Sequence, residues 1–439
     1  MKNQIIIIGA GLAGSEAAYQ IAKRGIKVLL YEMRPEKFTP AHNSSYFAEL
    51  VCSNSLGSMN FGTPSGLLKE ELKRIDSLLI KGAEKFRVPG GQTLCVDRKK
   101  FAEWVTYQIG LNKNIEIKRK EVKEIPSSEI VIIASGPLTS DNLLQNLMKF
   151  TGKENLYFYD ATSPIVLAES IDYTKVFRAS RYNKGSPDYL NASLSEEKYE
   201  NFYQALIKAE VVELHPFEKN NFFESCLPIE EMARRGKNTL LFGPLRPVGI
   251  INPQTGKRPY AVVQLRQDDL AVEHYQLVGF QTRLKWKEQE RIFRMIPGLE
   301  KAEFVRFGVM HRNTYINASS ILNNFFQTKK RKSLFIIGQL SGVEGYVESI
   351  ASGLIAGINV SRLVQGKKLL PFPQEAALGT LGNYISKANS ENFQPVKFTF
   401  GLLPSLSPPV RGKRKRRFIL AQRALRTLEI WIKKNDILR

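Results

Sequence analysis

Residues 5–14, Ile5-Ile6-Ile7-Ile8-Gly9-Ala10-Gly11-Leu12-Ala13-Gly14, run from four isoleucines into a glycine-rich turn. An unbroken apolar run of this kind reads as a strand buried on both faces, the sort that builds a parallel sheet. Gly9, Gly11 and Gly14 fill the G-x-G-x-x-G spacing, and each meets a different need. Gly9 allows a tight turn, Gly11 lets backbone approach a pyrophosphate, and Gly14 lets the next helix lie close on the strand. Ser15–Arg24 predicts that helix, whose amino-terminal amides and dipole attract phosphate. Gly25 ends it, and Lys27–Tyr31 is a second apolar strand closing on Glu32. A carboxylate there is placed to accept a hydrogen bond from an adenosine ribose. The glycine spacing alone is weak. Strand, turn, helix and terminal acid together predict a dinucleotide site formed by Gly9, Ala10, Gly11, Leu12, Ala13, Gly14 and Glu32.

Around that unit, 439 residues leave room for two or three domains, and a hydrophobic content of 43% supports real cores. Lys and Arg total 64 against 42 Asp and Glu, a net charge of +22. Such an excess favours a polyanionic partner, nucleic acid before anionic membrane. The cysteines, Cys52, Cys95 and Cys226, are too few for a disulfide framework and fit a reducing compartment. The apolar start imitates a signal peptide, but the glycines and the βα pattern explain it better, and no apolar run reaches membrane-spanning length. A soluble, cytoplasmic protein without a membrane partner is expected. His215, His274 and His311 lack metal-ligand spacing, so no metal is expected either.

After Glu32, the proline-containing stretch Met33–Ala48 predicts an irregular loop. It leads to Cys52-Ser53-Asn54-Ser55. Gly66–Ile80 predicts one amphipathic helix, with Leu67, Leu68, Leu72, Ile75 and Leu79 on a single stripe. Thr93–Arg98 alternates like a strand and Lys99–Ile109 returns to helix. Lys113–Ile117 and Ile130–Ala134 are strands, the second stopping at Ser135-Gly136-Pro137. Near residue 150 the βα rhythm stops, and Phe, Tyr, Arg and Asn become frequent, which predicts an inserted α+β domain. Ser333–Gly338 is again a parallel-sheet strand, followed by a glycine-rich loop and a helix over Tyr346–Val360. Small residues recur along it at helical spacing and would let it pack closely on the sheet or a cofactor. The expected fold is α/β, with a Rossmann-like domain in two parts, 1–150 and 302–439, around an insert at 151–301. The last part ends in the run Arg411–Arg417 and an amphipathic helix.

A nicotinamide dehydrogenase needs one such glycine turn. FAD, held extended, uses a second strand–loop–helix to cover its far end, and Gly338, Gln339, Gly342, Gly345 and Tyr346 fit that role. Several blocks then carry a closer likeness: YEMRP (31–35), FAELVCSNSLGS (47–58), GLLKEEL (66–72), VDRKKF (96–101), SGPLTS (135–140), FFESCLPIEEMARRG (222–236), FGPLRPVGI (242–250), RPYAVVQLRQDD (258–269), MHRNTYIN (310–317) and GQLSGVEGYVESIASGLIAG (338–357). In them the chain resembles the folate-dependent tRNA uracil-5-methyltransferase flavoproteins, the TrmFO family, from residue 4 to the C-terminal helix. A related wobble-uridine flavoprotein family shares the Rossmann start and the Glu-Gly-Tyr block but not Cys-Leu-Pro-Ile-Glu-Glu-Met.

The resemblance implies transfer of a one-carbon unit from 5,10-methylenetetrahydrofolate to C5 of tRNA uracil 54, with FAD reduced by NADH or NADPH supplying electrons. No obligate protein partner is expected. Uracil C5 becomes nucleophilic only after a thiolate or similar group adds at C6, a step that suits cysteine. Cys226 is the expected nucleophile, because Pro228 fits the start of a short helix to Arg235 whose dipole would lower the thiol pKa. Cys52, in a polar loop beside the expected flavin edge, is the expected proton acceptor or protecting thiol; Cys95 reads as structural. His311, with Arg312 and Asn313, is a candidate for the folate slot, and a structural histidine is an equal alternative. Arg414, Lys415, Arg416 and Arg417, with a second cluster at 329–332 and with Arg178, Arg181 and Lys184, suit an RNA backbone. Open alternatives are the same chemistry on a 23S rRNA uracil, wobble-uridine modification with a GTPase partner, and an RNA-binding flavoprotein without methyl transfer.

Overall fold

In the computed structural model, which describes residues 4–127, 129–152, 156–213 and 227–438, the four isoleucines are the middle strand of a five-stranded sheet. Its order is Leu334–Ile336, Val131–Ile133, Ile5–Ile8, Val28–Glu32, Ile115–Arg119, and every neighbouring pair is parallel. Ile5–Ile8 are buried on both faces, as a strand covered by helices on each side must be.

Gly14 explains the close seat of the helix Leu12–Ala22: a Cβ there would stand 1.9 Å from the Gly9 carbonyl oxygen. The helix Tyr346–Val364 packs on that same helix. A Cβ on Gly353 would lie 2.3 Å from the Ala13 carbonyl oxygen, and one on Gly357 2.9 Å from Gln20 Cβ. Gly353 and Gly357 therefore serve a helix–helix contact, where close backbone approach needs the missing side chain, while Ser352 Oγ accepts from Gly338 N and Ser349 lines the cavity at the strand ends. This helix is also long and apolar enough to cross a membrane, contrary to the sequence expectation, yet most of its residues are buried within the protein.

The single helix expected over Gly66–Ile80 is two, Pro64–Arg74 and Leu78–Lys85. Asp76 adopts φ +65°, and the Ser77 side chain accepts from Ile80 N to cap the second helix. Asp and Ser favour such local bonds over a continued helix. The apolar stripe was correct; the stop and restart were missed.

Two large hydrophobic cores form among the described residues, with a small third cluster of Phe177, Ile250 and Val262. One draws on residues 5–147 and 315–437, the other on residues 166–304. The second is built on a six-stranded antiparallel sheet in the order Val176–Ala179, Tyr189–Leu194, Ala261–Gln267, His274–Leu277, Ile165–Leu167, Phe304–Arg306. The chain passes between the cores on an antiparallel ribbon of Leu156–Ala161 and Met310–Tyr315. A Rossmann-like parallel α/β fold carrying a further antiparallel domain is the observed architecture.

Candidate active site

The carboxyl ends of the parallel strands open onto a cavity of about 480 Å³. Two helix amino termini face it, Leu12-Ala13 of the first helix and Gly345 to Ser349 at the start of Tyr346–Val364. Their dipoles favour negative charge in that space. A Cβ at Gly11 would meet no atom within 4 Å, so this backbone faces open cavity. Gly9, by contrast, has φ +101° and would place a Cβ 2.6 Å from the Ala134 carbonyl oxygen. The turn and the cradle are thus separate tasks of separate glycines, and the cradle fits a phosphate-bearing cofactor.

Glu32 reaches the cavity from the end of its strand, with one oxygen accepting from Ala10 N at 3.0 Å and the other from Arg34 Nε at 2.9 Å. Burial alone would raise its carboxyl pKa, but the hydrogen bonds and charge of Arg34 outweigh that and lower it. Arg34 itself is buried and also pairs with Glu49 at 2.9 Å. Glu32 therefore locks the glycine loop as well as facing the site. His42, also on the wall, is pushed down to about 4 by burial and by Arg34, and is neutral.

On the other side of the cavity stand Cys52, Asp160, His311, Asn313 and Glu344. The Cys52 thiol donates to the Ala161 carbonyl at 3.8 Å. Burial, and then the Asp160 carboxylate, push its pKa up to about 12, against the lowering pull of Arg98 and Arg306. Glu344 accepts from Gln339 Nε2 at 2.8 Å. Burial and Asp160 raise its pKa to about 8. His311 is held below its ordinary pKa by burial. Among the described residues, His311 Nδ1 and Asn313 Oδ1 are buried and have no hydrogen-bond partner. Buried polar atoms without partners are rare, and these two, themselves shielded from solvent, belong to residues that line one cavity.

The family of glucose inhibited division protein A matches residues 4–368. The methylenetetrahydrofolate–tRNA-(uracil-5-)-methyltransferase TrmFO of Pelotomaculum thermopropionicum is 56% identical over 425 residues, 97% of each chain. That of Desulforamulus reducens is 54% identical over 99% of each chain. The Aquifex aeolicus protein of that name is 53% identical over 100% of this chain and 98% of its own. The chain belongs to the TrmFO family. In fold, it resembles Aquifex aeolicus GidA in its form II crystal, with TM-score 0.72 at 16% identity, covering 99% of this chain and 74% of that one.

Within this TrmFO chain, Gly9, Gly11, Leu12, Ala13, Glu32, Cys52, His311, Asn313, Gly338, Gln339, Gly345 and Tyr346 line the same cavity. Gly342 does not: at φ +85° it turns the loop against the Phe393 ring, 2.5 Å from where its Cβ would be. Ala10 serves the cavity only through its amide to Glu32, and Gly14 through packing. Strand alternation separates Arg312 from its neighbours. His311 and Asn313 point inward, while the exposed Arg312 lies 4.3 Å over the Tyr157 ring, which removes it from the folate candidates. Cys226 and His215 lie outside the described residues; the short helix next to Cys226 runs Ile229–Arg234 with Pro228 at its cap.

Of the basic residues, Arg331 donates to Pro126 O and Glu129 O. Arg181 donates to Val248 O and Arg246 O. These two hold backbone carbonyls of the fold. Arg414, Lys415 and Arg416 are exposed, and Arg417 lies 5.9 Å over the Phe400 ring. Asp160, Glu344, Arg98 and Arg306 were not singled out from sequence. Glu344 stands inside the quoted loop block, but nothing local marks Asp160 or the arginines as neighbours of Cys52.

Proposed function

We propose that this chain transfers the one-carbon unit of 5,10-methylenetetrahydrofolate to C5 of a tRNA T-loop uracil, position 54. The observation that carries this reading is one cavity lined by two helix amino termini, the open Gly11 cradle, Cys52, His311 and Asn313. Near full-length identity to relatives named for this reaction supports it. Gly9 to Gly14, Glu32, Gly338 and Gly345 are the residues assigned to FAD, with His311, Asn313 and Glu344 at the folate end. FAD, reduced by NADH or NADPH, supplies the electrons that turn methylene into methyl.

The protein's own residues divide the remaining work. At a pKa of about 12, only roughly one Cys52 in 10⁵ is thiolate at neutral pH. Cys52 as it stands holds a proton, which favours a protecting thiol over a nucleophile or a ready acceptor. Cys226 remains the assigned nucleophile, on the strength of its sequence block. Glu344, kept largely protonated near neutrality, offers an O–H donor where an ionised acid would repel electron-rich rings.

The helix Lys413–Lys434 begins with Lys413, Arg414, Lys415, Arg416 and Arg417 and has no acid in its first turn. Cations at the positive end of a helix dipole are unfavourable without a partner, and an RNA backbone is such a partner. The T-loop base must leave its stack to reach the cavity. The two cores support the division into FAD-binding parts 1–150 and 302–439 around an insert at 151–301. A tRNA substrate with a folate donor supports the reading of a cytoplasmic enzyme, and no obligate protein partner is part of the proposal.

Incubating the enzyme with a labelled methylene donor and separate tRNA and rRNA tests the reading. Label is expected in tRNA. Label in rRNA alone would move the target, and no label in either would reject methyl transfer, leaving wobble-uridine modification or plain RNA binding.

A further inference from the structure

The segment Leu50–Ser53, which carries Cys52, is irregular, and its backbone is held by side chains from distant elements. Tyr346 Oη accepts from Cys52 N at 2.8 Å and from Ser53 N at 3.2 Å. Gln276 Nε2 donates to the Cys52 carbonyl at 3.0 Å. Arg98 Nη1 donates to the Leu50 carbonyl at 3.2 Å and more distantly to that of Cys52 at 3.4 Å. Arg306 Nη2 donates to the Val51 carbonyl at 2.7 Å. The clamping groups are themselves held. Arg266 Nη2 donates to Gln276 Oε1 at 2.6 Å, and Asp268 accepts from Arg98 at 2.8 Å.

Backbone amides and carbonyls must be satisfied somewhere, and pairing with a strand would do so without fixing long side chains. Here the bonds come from both sides of the molecule. Tyr346 opens the helix that borders the cavity, while Gln276 and Arg306 belong to the antiparallel sheet of the second core. We propose that Tyr346 and Gln276 are positioning residues for Cys52, gripping its peptide from opposite cores so that Sγ is fixed at the cavity wall. The proposal rests on the reading of Cys52 as a site thiol but not on which RNA is methylated. The grip keeps the thiol among Asp160, Glu344, Arg98, Arg306 and the Tyr346 hydroxyl, where burial and Asp160 suppress ionisation. Release toward solvent brings the thiol back toward ordinary cysteine behaviour, each unit of lowered pKa raising the thiolate fraction tenfold.

The test is alkylation by iodoacetamide of the flavin-loaded enzyme in a Cys226→Ser background, followed across pH by mass spectrometry. Cys95, fully buried, is an internal control for general loosening. Tyr346→Phe keeps the ring and removes the acceptor; Gln276→Leu removes the donor and lies off the cavity wall. Each is expected to raise Cys52 alkylation at pH 8 at least tenfold and to lower its apparent pKa, with Cys95 unmoved. The double variant should add little, since both release one peptide. If Tyr346→Phe loses its flavin, Gln276→Leu alone decides. Cys52 alkylation within twofold of the parent, or Cys52 and Cys95 rising together, overturns the clamp. Methylation of tRNA is scored separately in the protein that keeps Cys226: the expected alkylation pattern together with no RNA methylation by that Cys226-containing enzyme refutes the proposed function and leaves the clamp standing.

Discussion

Gly11 and Gly14 stand three residues apart in one motif, yet the structure predicts opposite consequences for adding a side chain to each. At Gly11 a Cβ meets nothing within 4 Å, and φ is −69°. Gly11→Val should leave the apoprotein within about 0.5 kcal/mol of the parent. Its cost falls on the cofactor, because the side chain fills the cradle where phosphate would approach the amides. Loss of one or two charge-assisted hydrogen bonds, each about 1.5–3 kcal/mol, weakens flavin binding by roughly 10-fold to 10⁴-fold. At Gly14 a Cβ would sit 1.9 Å from the Gly9 carbonyl oxygen. Gly14→Ala must push the helix off the strand, an overpacking cost of about 1–3 kcal/mol or more. The assays are bound flavin per polypeptide, from visible absorbance after purification, and thermal unfolding of each apoprotein. Gly11→Val should be colourless with a parental melting temperature, and Gly14→Ala should melt several degrees lower. A Gly11→Val protein as yellow as the parent would remove the cofactor from this turn.

Replacing Arg414, Lys415, Arg416 and Arg417 with Ala should weaken tRNA binding and lower the log–log salt slope by roughly 0.7–0.9 for each lost phosphate contact; flavin reduction should not change, and an unaltered slope would make the cluster a bystander. A 5-fluorouracil T-loop RNA should trap the enzyme covalently through Cys226, since fluorine cannot leave as a proton. Cys226→Ala should abolish the adduct while keeping FAD, whereas trapping that requires Cys52 instead would exchange the two roles. Glu344, at about 8 when folded against about 4.3 when unfolded, binds more protons in the folded state between those values. It therefore contributes stability that is present at low pH and lost as pH rises through about 8, by at most about 1.4 kcal/mol per pH unit. Glu344→Gln should flatten the fall of apoprotein melting temperature between pH 5 and 8; an identical slope would place the raised pKa elsewhere.

The readings that sequence supports best are those whose cause is local. Four isoleucines followed by Gly9, Gly11 and Gly14 dictate a buried strand, a tight turn and a closely seated helix, because each requirement acts within a few residues. The pairing of Gly338 to Tyr346 with that turn was legible because a second strand–loop–helix repeats the pattern. Dense family blocks carried the chemistry as far as two cysteines. Local signals also misled: the apolar stripe over Gly66–Ile80 outweighed Asp76-Ser77, although that pair is itself a stop and cap signal. Likewise, Gly342 was grouped with its loop when its positive φ answers to Phe393.

What only the tertiary structure decided is electrostatic and long-range. The state of Cys52 depends on Asp160, Arg98, Arg306 and Glu344, residues scattered along the chain and carried to one cavity by two different cores. His311 and Asn313 were separable from Arg312 only once strand register put them on opposite faces. Helix and strand propensities act between near neighbours, so sequence determined the elements. The pKa of a buried thiol is set by whatever charges lie within a few ångströms in space, and only the folded chain determines which those are.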